Sequence, residues 1–101
     1  MHLIVLSSFW GELYSVAILT TAEFNASKVD PNTVKFADAS LTKLKMVDVD
    51  YDGDVDMLLY FNTRDLNLDE YSTDATLIGK TIYGFVITGT DSVSIVRKGK
   101  K

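Results

Sequence analysis

Nine residues, Asp48-Val49-Asp50-Tyr51-Asp52-Gly53-Asp54-Val55-Asp56, put five aspartates on alternate positions between two apolar runs, Leu41 to Val47 and Met57 to Phe61. Carboxylates packed so densely repel one another unless something positive sits among them. Aspartate is also depleted from strands, so the run belongs in a turn, and Asp52-Gly53 between two β-prone arms is a strong hairpin signal. A metal-free acidic hairpin is one reading. The other is a calcium loop, because hard oxygen ligands on a loop bent by glycine are what Ca²⁺ takes, and a plain hairpin has no use for acid on both arms.

The spacing favours calcium position by position. In the EF-hand pattern the ligands come from loop positions 1, 3, 5, 7 and 9, glycine turns the chain at 6, and a bidentate glutamate closes the shell at 12. Asp48, Asp50 and Asp52 take positions 1, 3 and 5, Gly53 takes 6, Asp54 offers its backbone carbonyl at 7, and Asp56 takes 9. Position 12 is Leu59. A helix-loop-helix hand is therefore not expected, and the apolar run that follows argues for a strand. A loop that closes on its ninth-position acid and enters Met57-Leu58-Leu59-Tyr60-Phe61 resembles the calcium hairpins of FG-GAP and VCBS-type repeats in integrin-like and bacterial surface proteins. The expected ligand set is Asp48, Asp50, Asp52, Asp54 and Asp56, and the expected cofactor is Ca²⁺.

The 101 residues suffice for one domain, expected over residues 1–96 and followed by a basic tail at 97–101 that holds Arg97, Lys98, Lys100 and Lys101. A 47% hydrophobic content with one proline excludes a disordered chain. With no cysteine there is neither a disulfide framework nor a thiolate metal site. No run approaches a membrane span, and Met1 to Leu6 lacks the basic start and length of a signal peptide. The net charge of −4 disfavours nucleic acid as a partner. Neither nucleic acid nor membrane is expected as a partner.

Short runs with β character recur along the chain: Leu3 to Leu6, ended by Ser7-Ser8; Leu13 to Leu19; Val34 to Phe36; Leu41 to Val47; Val55 to Phe61; Ala75 to Ile78; Thr81 to Ile87; and Ser92 to Val96. Leu44 and Met46 alternate with Lys43 and Lys45, so one face of that strand should be buried and the other basic. Thr20 and Glu23 have capping-box spacing, and Asp30-Pro31 could cap a further turn. Gly79, Gly84 and Gly89-Thr90-Asp91 read as turns. The expected fold is all-β: a single-domain β-sandwich or open barrel of seven or eight short strands, with one or two short helical turns near residues 22–33.

Three blocks, Val16 to Phe24 with Val29 to Val34, Asp48 to Phe61, and Thr73 to Val93, make the chain resemble a family of small accessory domains near the ends of secreted bacterial and archaeal proteins. Where such domains carry proline before Val-Ala-Ile, this chain has Ser15. The resemblance implies a secreted or cell-surface module, cropped from or attached to a host protein. An enzyme is not expected: His2 is the only histidine, there is no Gly-x-Ser-x-Gly elbow, and no Gly-rich phosphate loop. Two functions remain open. One is a calcium-stabilised structural or interaction module; the other is a metal-free orphan of mobile-element passenger type, a homo-oligomeric or small-ligand binder using Phe9, Trp10 and Tyr14. A homodimer is expected through the apolar first strand or packing near Phe9 and Trp10.

Overall fold

The computed structural model describes residues 3–68 and 71–92. The expected strand beyond Ser92 and the tail at 97–101 lie outside them. In chain order the elements are β1 (Val5–Trp10), β2 (Leu13–Ile18), a 3-10 turn at Ala26–Lys28, β3 (Val29–Phe36), β4 (Ala39–Ser40), β5 (Lys43–Val47), β6 (Asp56–Asn62), a second 3-10 turn at Thr63–Asp65, β7 (Asp74–Thr81) and β8 (Val86–Ser92). They form two antiparallel four-stranded sheets, ordered β1-β2-β6-β5 and β4-β3-β7-β8. The all-β expectation holds, as a sandwich.

The core follows from period-2 alternation. In the first sheet Val5 pairs Ile18, Val16 pairs Leu59, and Tyr14 pairs Phe61, and these side chains are buried against Phe36, Leu77 and Ile87 of the second sheet. Tyr14, Phe36 and Phe61 form a chain of rings with centroids 5.8 and 5.6 Å apart. β2 and β6 are central and apolar on both faces, as their sequences required.

Several local expectations are corrected. Ser7-Ser8 do not end the first strand, which runs on to Trp10 and turns at Gly11-Glu12 into β2; Gly11, at φ 75°, takes the first position of a two-residue hairpin turn. The helical segment is a single 3-10 turn capped by Asn25, whose Oδ1 accepts the Ser27 N–H at 3.0 Å. Thr20 is not its cap. Asp30-Pro31 start no helix either: Asp30 Oδ1 accepts the Asn32 N–H at 3.1 Å, and the register of β3 against β7 shifts between Asp30 and Lys35, so the proline sits in a bulge.

Gly79 and Gly89 are strand residues, and both mark close packing. A Cβ on Gly89 would lie 2.9 Å from Val5 Cγ1, and one on Gly79 would lie 3.1 Å from Val34 Cγ2. The turn falls instead at Ile82-Tyr83-Gly84-Phe85, within what the sequence reads as a strand. Finally, Leu44 and Met46 do pair on the core side with Leu59 and Met57, yet they are 37% and 40% exposed. β5 is an edge strand, and the facing β4 has two residues and packs on β6, so little covers β5 from the second sheet.

The opposite flank is closed. Leu3 N–H donates to Thr88 O at 2.6 Å, and the Asp91 carboxylate accepts both the Ser7 N–H at 2.8 Å and the Ser7 hydroxyl at 3.0 Å. β1 and β8 are thereby joined across the two sheets.

Candidate metal centre

β5 and β6 pair as far as Val47 with Asp56, and the acidic loop is what joins them. Its shape comes from its own carboxylates. Asp48 Oδ2 accepts the Gly53 N–H at 2.8 Å and its Oδ1 the Asp52 N–H at 3.2 Å, while Asp52 Oδ1 accepts the Asp54 N–H at 3.0 Å. Tyr51 at φ 57° and Gly53 at φ 95° supply the left-handed steps that fold the chain back over Asp48. Nothing lies within 4 Å of a Cβ built on Gly53, so glycine is needed there for backbone conformation alone.

Asp56 anchors the loop to the sandwich. It is completely buried, and both of its oxygens are used: Oδ1 accepts the Thr20 N–H at 2.8 Å and Oδ2 the Val49 N–H at 3.0 Å. The Thr20 hydroxyl donates to Val55 O at 2.6 Å and accepts the Ala26 N–H at 2.9 Å. Thr20 and Ala26 therefore form the floor beneath the loop. Sequence reading missed that role, because a threonine thirty-six positions from its partner leaves no local signal.

Asp48, Asp50, Asp52 and Asp56 each bring a carboxylate oxygen to within 4.8 Å of the others. Asp54 is not among them. Its carboxylate does not join the group, which agrees with a contribution through its backbone alone. The four are electrostatically unequal. Partial desolvation pushes Asp48 up, but the N–H groups of Gly53 and Asp52 that point at it outweigh this and hold its pKa below the usual carboxylate value. Asp50 goes the other way: partial desolvation and the neighbouring charges of Asp52 and Asp56, with hydrogen bonds to Asp48 and Asp52, push it up to about 6. The cluster thus retains a proton where a cation could sit, and its donor set of oxygens alone suits a hard ion.

The other expected patch does not assemble. Tyr14 is buried and Phe9 half-buried on the core side, whereas Trp10 points to the outer face and is 72% exposed. There its indole N–H donates to Ser15 Oγ at 3.1 Å, beside a shallow groove shared with Leu13, Leu58 and Tyr60. Strand alternation separates Trp10 from its neighbour Phe9. Compared with protein families, curated proteins and solved structures, the chain gives no match, so the functional reading stands on the loop's own chemistry.

Proposed function

We propose that the protein is a non-enzymatic calcium-binding structural or interaction module, in which Ca²⁺ held by Asp48, Asp50, Asp52 and Asp56 makes the β5–β6 loop rigid. The convergence of four carboxylate oxygens within 4.8 Å carries the reading. That spread matches the distance across two Ca–O bonds, about 4.6–5.2 Å, and exceeds the roughly 4 Å that Mg²⁺ imposes. Asp54 completes the loop through its carbonyl, as in the FG-GAP and VCBS-type hairpins that the spacing resembles. The test is calorimetry on chelator-treated protein. Ca²⁺ should bind once per chain and more tightly than Mg²⁺, and Asp50→Asn should weaken it; a flat Ca²⁺ titration would overturn the reading.

The outer face of the first sheet supports a second reading, a metal-free oligomeric or small-ligand binder. Trp10, with Leu13, Leu58 and Tyr60, presents apolar surface there. Packing of two copies on this face fits better than pairing at the β1 edge, since the N–H groups of Leu3 and Ser7 are already taken by β8. Light scattering at twice the 11.2 kDa chain mass, returning to the monomer value in Trp10→Ser, would favour it.

A further inference from the structure

At the end of the sandwich that carries the acidic loop, the β7–β8 hairpin turns through Ile82, Tyr83, Gly84 and Phe85. Three of these side chains stand in solvent, Ile82 at 57%, Tyr83 at 65% and Phe85 at 68% exposure. The turn itself is well built. Thr81 Oγ1 accepts the Tyr83 and Phe85 N–H groups, Thr81 N–H donates to Phe85 O at 2.8 Å, and Gly84 N–H donates to Thr81 O at 2.9 Å. Its apolar side chains are therefore displayed by a fixed backbone.

The hairpin tip and the acidic loop are tied to one connection. Ile82 N–H donates to Lys28 O at 2.8 Å, and the same 20–28 segment begins at Thr20, whose N–H holds Asp56. The loop adds Tyr51 at 91% and Val55 at 50% exposure. Single exposed apolar residues are ordinary, but five on two tips at one end mark a contact surface.

The chemistry of that end fits a lipid surface. Tyrosine, phenylalanine and isoleucine on projecting tips suit the boundary between headgroups and acyl chains. Lys28 Nζ, 5.8 Å from the Tyr83 ring, lies where it can meet a phosphate. Four carboxylate oxygens leave part of the six to eight ligands of Ca²⁺ unfilled, and the residue at the closing position, Leu59, is buried in the core. Oxygens from outside can complete the shell. Without a cation the five aspartates repel anionic headgroups.

We propose that this end of the molecule docks on an anionic phospholipid surface, with Ca²⁺ bridging the loop to headgroup phosphates while Ile82, Tyr83 and Phe85 enter the interface. The bridging rests on the calcium reading above. No helix among the described residues is long and apolar enough to cross a membrane, and docking from outside needs no span.

Co-sedimentation with phosphatidylcholine vesicles, with and without phosphatidylserine, tests it alongside calorimetry with Ca²⁺ alone. Protein should pellet with the phosphatidylserine vesicles in Ca²⁺ and bind them at least tenfold more weakly in chelator. The double variant Tyr83→Ser, Phe85→Ser should keep its melting temperature and Ca²⁺ binding but lose roughly tenfold or more in vesicle affinity, the order expected when large apolar side chains stop being buried. A protein that binds Ca²⁺ in calorimetry yet stays in the supernatant would overturn the docking and leave the metal reading intact. A double variant that pellets like the parent, or light scattering showing that the tip joins two copies, would also overturn it. If calorimetry shows no Ca²⁺ binding, the bridging falls together with the metal site.

Discussion

Asp50 and Asp56 belong to one cluster but differ in what they hold. Asp56 accepts two backbone N–H groups in a fully buried position, so Asp56→Ala leaves both donors unsatisfied and should destabilise even the metal-free protein by about 2–4 kcal/mol, measured by urea unfolding. Asp50 is exposed and serves no such purpose, which makes Asp50→Asn the cleaner probe of cation binding. Its raised pKa also sets a pH dependence. A carboxyl at about 6 in the fold, above its ordinary 3.8, adds stability that is complete below 3.8 and lost as pH rises through 6. Asp48, shifted down, adds stability above 3.8 that is lost as pH falls through its folded value. The metal-free melting temperature should therefore peak between 3.8 and about 6 and fall toward pH 8. Asp50→Asn, or saturating Ca²⁺, should flatten the alkaline side; an unchanged slope in both would contradict the shared-proton account. At this scale the loop was legible because alternate aspartates can hardly serve another purpose. Thr20 was not, since its partner is remote in sequence.

Among the elements, β6 and β5 show what periodicity can and cannot reveal. Both alternate correctly, yet Leu59 is fully buried while Leu44 on the neighbouring strand is 37% exposed. Leu59→Ala should cost about 2–5 kcal/mol and Leu44→Ala about 1 kcal/mol or less, compared by denaturant unfolding. The pattern of β5 fixes which face points inward; whether anything lies opposite depends on the two-residue length of β4, which no local pattern encodes. Glycine is ambiguous in the same way. Gly84 marks a turn with φ 87°, whereas Gly79 and Gly89 sit in strands because side chains press on them, and the letter alone does not separate these uses. Gly89→Ala should cost about 1–3 kcal/mol, since the new methyl meets Val5 and the Leu3 carbonyl. The Phe9-Trp10 pair was misplaced once the strand was ended at Ser7-Ser8; carried through those serines, alternation puts the two rings on opposite faces.

For the whole molecule, a cation that binds only the folded chain should stabilise it by about 2.7 kcal/mol at 100 times its dissociation constant, visible as a rise in melting temperature between chelator and excess Ca²⁺. The gain should not be spread evenly. One flank of the sandwich is fastened by Asp91 to Ser7 and by Leu3 to Thr88; the other ends in β5, half uncovered and joined to the central strand β6 through the acidic loop. Local opening starts where buried contacts are fewest. In the metal-free protein the amide hydrogens of β5 should thus exchange with solvent well before those of β1 and β2, through partial openings that leave the core intact. Ca²⁺ should slow exchange in β5 out of proportion to its effect elsewhere, so that the ion acts as a latch on the one strand the sandwich leaves ajar.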